Sequence, residues 1–242
     1  CKENKKKIKL LVSIRSIEEV KVVNGLNIDI IDLKEPKNGP IGMLDFIDIK
    51  KIVLALRGNN FCGKISTTFE LNDGNLSGED VAKIEDLGSV GLDYIKVGVS
   101  ADENTLENLR KFAESLKKTK NRVLEDKLIL VLMITDKYSF KFVKNISPSM
   151  VKKFPGIMID TINKESGSIF DIINLAELNI IKNFALENNV DFGIAGSLDV
   201  SHTKLINQLQ PNWVGYRGGL CLEKRSGPLS RARLENLIDS FC

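Results

Sequence analysis

Ile28-Asp29-Ile30-Ile31-Asp32-Leu33-Lys34 is a short apolar run that ends in an aspartate and a lysine. Adjacent isoleucines leave it no polar face, the pattern of a strand buried on both sides in a parallel sheet. Seven further runs share this character: Leu10–Ile14, Lys64–Phe69, Tyr94–Val99, Leu128–Ile134, Gly156–Asp160, Asp191–Ala195 and Trp213–Tyr216. Each is rich in Ile, Val or Leu and closes on Gly, Asp or Ser.

Amphipathic stretches separate the runs. Ser16 and Glu19 have capping-box spacing, with Gly25 as a stop. Leu106, Leu109, Phe112 and Leu116 mark one helix face, Ser201 precedes Leu205, Ile206 and Leu209, and Ser230 precedes Leu234, Leu237 and Ile238. Eight strand–helix units in a chain of 242 residues predict an α/β fold, a single (β/α)8 TIM-like barrel over residues 9–242 behind a basic tail of residues 1–8. The competing architecture is an open doubly wound sheet. No GxGxxG or GxxxxGK[ST] follows any run, which weighs against nucleotide folds.

Lys and Arg total 35 against 32 Asp and Glu, a net charge of +3, so nothing points to nucleic acid or an anionic membrane as partner. No run of about 18 apolar residues is present. A lead cysteine fits a lipoprotein anchor, but a solvated tail is the simpler reading. Four cysteines without a CxxC pair argue against a zinc site and a disulfide framework, and for a reducing cytoplasm. His202, the only histidine, reads as a surface residue.

In a barrel of this kind the active site lies at the C-terminal ends of the strands. That rule gathers Asp32 and Lys34, Lys96 with Tyr94, Asp136, Asp160, and Lys164 on the loop after the sixth run. Residues two apart on a strand face the same way, so Asp32 and Lys34 are both expected to point inward. A strand-end Lys is more often a solvated loop residue and a strand-end Asp more often a helix cap, and Asp136 and Asp171 fit that plainer reading. Lys96 is harder to set aside, since its neighbours Ile95 and Val97 are apolar and a buried ammonium needs a partner such as Asp32 or Asp160. Desolvation lowers a lysine's pKa and makes it an amine nucleophile toward carbonyls. Ala195-Gly196-Ser197 and Arg217-Gly218-Gly219 place glycines and a cation after the last two runs, which suits a phosphate group.

Asp32-Leu33-Lys34-Glu35-Pro36-Lys37-Asn38-Gly39-Pro40-Ile41-Gly42 resembles the D-x-K-x-P-x-x-G-x-x-G signature of the (5-formylfuran-3-yl)methyl phosphate synthase family. Asp93–Gly98 is similar to its D-Y-I-K-V-G, Met158–Thr161 with Lys164 to its M-[IL]-D-T-x-x-K, Ala195–Leu198 to its A-G-S-L, and Val214–Gly218 to its V-G-V-R-G. The resemblance implies a TIM-like barrel with no metal or organic cofactor. It implies a carbon–oxygen lyase condensing two glyceraldehyde 3-phosphate molecules into a furan aldehyde phosphate, a methanofuran precursor, with release of phosphate and water.

It further implies Lys34 as the Schiff-base amine, Lys164 as its competitor, and Asp32, Lys96, Asp160 and Lys164 in proton transfer. Gly196, Ser197, Arg217 and Gly218 are expected to hold substrate phosphate. Departures fall in three loops. Glu70–Gly74 lacks G-D-x-P-Y-K-P-G, Met133–Asp136 stands for G-Y-A-D, and Arg225-Ser226-Gly227-Pro228 replaces a more polar stretch with N-G-R. Two alternatives stay open: another lysine-dependent aldolase or lyase on a phosphorylated carbonyl compound, and a non-catalytic phosphate-ligand binding barrel. Association into a homo-oligomer also stays open.

Overall fold

The computed structural model describes residues 7–71, 77–119, 126–163 and 167–241. Its eight strands are β1 (Lys9–Ile14), β2 (Ile30–Leu33), β3 (Lys64–Glu70), β4 (Tyr94–Ser100), β5 (Leu128–Ile134), β6 (Gly156–Thr161), β7 (Asp191–Ile194) and β8 (Trp213–Tyr216). They pair in parallel, in chain order, and β8 closes on β1. The barrel expected from the sequence is the fold observed.

Helices cover the outside: α1 (Ile17–Val23), α2 (Phe46–Gly58), α3 (Gly78–Ser89), α4 (Thr105–Thr119), α5 (Phe140–Lys144), α6 (Pro148–Val151), α7 (Ile169–Ile172), α8 (Leu175–Glu187), α9 (Thr203–Leu209) and α10 (Arg231–Asp239). The crossovers after β5 and β6 are each broken into two pieces, with Pro148 opening α6. Among the described residues no helix is long and apolar enough to cross a membrane.

Strand alternation splits the apolar residues into two layers. Ile31, Leu33, Ile95, Val97, Leu130 and Ile159 face the helices, within the larger core. Leu11, Ile30, Ile129, Met158 and Trp213 face the barrel axis. Trp213 fills the lower end of the barrel because Gly193 and Gly156, on the neighbouring strands β7 and β6, have no side chain. A Cβ on Gly193 would lie 1.6 Å from Trp213 Cδ1, and one on Gly156 would lie 2.3 Å from the same indole. The bottom is therefore plugged by the indole, with Tyr94 edge-on to it at 6.1 Å between ring centroids. Gly193→Ala is expected to cost at least about 1–3 kcal/mol through overpacking. Urea unfolding checks this, and a midpoint equal to wild type would show that the indole has somewhere to move.

The structure corrects several local expectations. Ile8, assigned to the tail, is already core at 7% exposure, and residues 1–6 lie outside the described set. β2 begins at Ile30, because Asp29 turns its carboxylate to the N–H of Leu10 at 2.9 Å. Ser16 caps α1 without a side-chain bond to the backbone, so no capping box forms. Leu106 is exposed, while Leu109, Phe112 and Leu116 carry the buried face of α4. Cys62 and Cys221 are free thiols, and Cys1 and Cys242 lie outside the described residues.

Candidate active site

Register decides which polar side chains become neighbours. Ser13 stands beside Asp32, Asp32 beside Ser66, and Thr68 beside Lys96. Asp32 is fully buried. Its carboxylate accepts from Ser13 Oγ at 3.0 Å, Ser66 Oγ at 2.7 Å and Lys96 Nζ at 2.6 Å. Two buried opposite charges with three donors on the carboxylate form a satisfied pair, the condition under which burial is tolerated. The ammonium of Lys96 is thus engaged with Asp32.

Lys34 sits one inward step above Asp32, at 6% exposure. Its Nζ has a single long bond, 3.4 Å to the carbonyl of Pro40. Burial and the nearby Lys96 cation push its pKa from 10.5 down to about 7, against the pull of Asp160 and Asp32. A large fraction of neutral amine at neutral pH follows. Reductive trapping of a small aldehyde on Lys34 with cyanoborohydride is expected to rise about tenfold per pH unit below 7 and to level off above it. A rate still climbing in the same way between pH 8 and 10 would show an ordinary lysine.

The loop after β2 explains its motif. A 3-10 turn at Pro36–Asn38 leads to Gly39 at φ 99°. The chain then returns so closely that a Cβ on Gly42 would lie 2.3 Å from the carbonyl of Glu35. The N–H of Glu35 donates to the Gly42 carbonyl at 2.9 Å, and Thr68 Oγ1 donates to the same oxygen at 2.9 Å. Ile41 is thereby driven into the barrel over Gly98, where a Cβ would meet it at 2.7 Å.

Asp160, the last but one residue of β6, lines the cavity at 4% exposure, and its Oδ1 accepts from the N–H of Thr161 at 2.8 Å. A cavity of about 320 Å³ opens at these groups, lined by Lys34, Lys96 and Asp160. Gly196–Asp199 after β7 and Arg217–Gly219 after β8 line it as well. These loops pack tightly. Gly196 has φ 109° and a Cβ there would meet Thr161 Oγ1 at 2.6 Å, while one on Gly219 would meet Asp199 Cβ at 2.6 Å. Gly196, Ser197 and Gly218 line the cavity.

Arg217 departs from the phosphate expectation. Its guanidinium is 4% exposed and all five N–H donors are used. Nη1 donates to Glu19 at 2.6 Å and to the Ser13 carbonyl at 3.1 Å. Nη2 donates to Glu19 at 3.0 Å and to the Gly227 carbonyl at 2.9 Å, and Nε to the Arg225 carbonyl at 3.1 Å. No donor remains for a phosphate, so Arg217 acts as a buried tie between the ends of β1 and β8. Glu19, read as a helix cap, is its counter-ion.

Asp136 is likewise outside the cavity. Its carboxylate accepts from the N–H groups of Tyr138 and Ser139, which hold its pKa below the usual carboxylate range. His202 is half-buried, stacked on Phe170 with ring centroids 6.0 Å apart, and its Nδ1 accepts from the Asp199 N–H at 3.2 Å. Lys164 and part of the loop after β3 lie outside the described residues. Among the described residues no three His, Cys, Asp or Glu side chains cluster as metal ligands.

The sequence reading missed Ser66 and Arg225. Ser66 had a legible signal, because Ser66 and Thr68 stand two apart on the strand face opposite Ile65 and Phe69. Arg225 lines the cavity from the loop after β8 and donates to the Gly39 carbonyl at 3.3 Å.

The fold is shared with solved phosphate-metabolite enzymes. Phosphoribosyl anthranilate isomerase superposes with a TM-score of 0.62 at 15% identity, covering 97% of this chain and 98% of that one. 3-Hexulose-6-phosphate synthase gives 0.57 at 12%, covering 97% and 100%. Sequence relatives are closer. The chain is 27% identical to (5-formylfuran-3-yl)methyl phosphate synthase of Methanosarcina mazei, over 96% of this chain and 98% of the relative. It is also 27% identical to a putative enzyme of the same name from Methylorubrum extorquens, over 96% and 91%. The model of the 4-HFC-P synthase family matches residues 10–238, from β1 to the last helix, and the chain belongs to that family.

Proposed function

We propose that the chain is a Schiff-base lyase that condenses two molecules of glyceraldehyde 3-phosphate into (5-formylfuran-3-yl)methyl phosphate, a precursor of the furan part of methanofuran. The observation that carries this reading is Lys34, a buried amine with its pKa near 7 beside Asp160, above a fixed Asp32–Lys96 pair. Net release of one inorganic phosphate and two molecules of water balances the two trioses against the product.

Neutral Lys34 attacks the aldehyde carbon of one triose, and water leaves as the imine forms. Protonated imine nitrogen is an electron sink, so the hydrogen on the adjacent carbon becomes acidic and passes to the Asp160 carboxylate. The electron pair of that C–H bond forms a C=C bond as phosphate departs from the next carbon with its C–O bonding pair, leaving an unsaturated imine. The second triose, as its enol, adds through the carbon beside its aldehyde to the terminal carbon of that imine. A hydroxyl then closes onto the second aldehyde, two molecules of water leave, and hydrolysis of the imine gives the aromatic furan aldehyde and frees the lysine. Asp32 and its serines hold the Lys96 side chain beside this path. The loops at Gly196–Ser197 and Gly218–Gly219 suit the phosphate that is retained, and both aldehydes are thereby confined in one cavity.

Incubation with glyceraldehyde 3-phosphate alone is expected to yield an ultraviolet-absorbing furan and one phosphate per furan. Borohydride is expected to add mass to the peptide carrying Lys34. Trapping without a furan would replace this reading with another lysine-dependent lyase. Tight phosphate binding without trapping would leave a binding barrel.

A further inference from the structure

We propose that Arg225 forms a second substrate-phosphate site between the loop after β8 and the loop after β2, and that it receives the phosphate that leaves. This rests on the condensation reading above. Two phosphorylated trioses bring two groups of charge about −1.5 to −2 into one pocket of limited volume. The glycine loops after β7 and β8 suit one of them. A second anion in the same space needs a side-chain cation with donors to spare.

Arg217 has none, since all five of its N–H groups are bonded. Lys96 is paired with Asp32, and Lys34 is the amine that bonds the substrate. Among the described cations lining the cavity, Arg225 remains. Its guanidinium makes one long bond, 3.3 Å to the Gly39 carbonyl. Asp160 draws it inward electrostatically, while burial lowers its pKa from the ordinary arginine value. A phosphate arriving there replaces one weak neutral bond with a charge-assisted, two-pronged one.

Its backbone is held for this task. The Arg225 carbonyl accepts from Arg217 Nε at 3.1 Å and from Cys221 Sγ at 3.5 Å, and Arg217 also holds the Gly227 carbonyl. The Glu19–Arg217 pair thus frames the loop that presents Arg225. The bond to Gly39 reaches the loop after β2, so the guanidinium bridges the mouth beside Lys34. In the elimination step the proton beside the imine goes to Asp160. Its electron pair forms the new C=C bond, and phosphate departs with the C–O bonding pair. Arg225 then neutralises the charge that develops on that oxygen.

Calorimetry with inorganic phosphate and steady-state turnover test this together. Wild type is expected to bind two phosphates per chain, Arg225→Gln one, and Arg225→Lys two with the second weakened. Arg225→Gln is expected to lose about 10²–10³ in kcat, furan and phosphate release falling together, and Arg225→Lys to recover part of it. Two phosphates on Arg225→Gln, one on wild type, or a kcat within about twofold of wild type would each overturn the proposal. A wild type that binds two phosphates but makes no furan would sink the condensation reading, and the count on Arg225→Gln would still decide the site. Should Arg225→Gln not fold, Arg225→Lys carries the test, and an undiminished second phosphate affinity would overturn the proposal.

Discussion

Lys34→Met is expected to remove imine trapping, lower turnover by about 10⁴–10⁶-fold, and make the protein more stable. Activity is lost because no other described amine of the cavity is held without a carboxylate partner. The stability gain follows from the cost of burying the amine. A fall in pKa from 10.5 to about 7 corresponds to a penalty of order 5 kcal/mol below pH 7, at about 1.4 kcal/mol per pH unit. Recovering about half of that gives a Tm increase of about 5–10 °C at pH 6, since each kcal/mol shifts Tm by about 2–4 °C at this chain length.

The pH dependence has a definite sign. Between pH 7 and 10.5 the unfolded chain keeps the Lys34 proton that the folded chain has lost. Wild-type stability therefore rises with pH across that window. The advantage of Lys34→Met is largest below pH 7 and fades toward 10.5. Scanning calorimetry at pH 6 and pH 9 measures both ends. A Tm lower than wild type at pH 6 would mean that the charged amine is favourably held, and the nucleophile would have to be sought elsewhere.

Asp32→Asn is expected to destabilise the protein by about 3–5 kcal/mol, a Tm decrease of about 6–20 °C. Asparagine retains the shape and can still bond Ser13 and Ser66. It leaves the Lys96 ammonium buried at 4% exposure without a counter-charge. Turnover falls as well, because the cation beside the imine is no longer fixed. Adding Lys96→Met to Asp32→Asn is expected to restore most of the stability and none of the activity. This double-mutant cycle separates the pair's role in the fold from its role in the chemistry. An Asp32→Asn protein within about 0.5 kcal/mol of wild type would show that Lys96 finds solvent or another acceptor.

Strand positions were legible to within one or two residues at most ends, and the reason is local. A strand buried on both faces reads as a continuous apolar run whatever its neighbours are. The inward polar residues Asp32, Lys34, Lys96 and Asp160 were legible for a related reason, since a charge at the end of such a run has few other places to go. Arg217 and Asp136 show the limit of that logic. Both stand at strand ends in the expected direction, yet one is consumed by Glu19 and the other by its own turn. His202 was read from polar neighbours in sequence, whereas Phe170, from a different crossover, covers its ring.

By itself the sequence determined the period and ends of the eight strands, the alternation that turns Asp32 and Lys34 inward, and the glycines that let two loops close. Those properties depend on bonds and side chains a few residues apart. Only the tertiary structure decided which charges pair: Lys96 with Asp32 at a separation of 64 residues, and Arg217 with Glu19 at a separation of 198. Barrel closure sets β8 against β1, and register sets β2 level with β3. Coulomb attraction and desolvation act on distance in space, so they select partners that no local spacing encodes. Among the described lysines of the cavity, Lys96 is paired with Asp32, and Lys34 is held only by the Pro40 carbonyl.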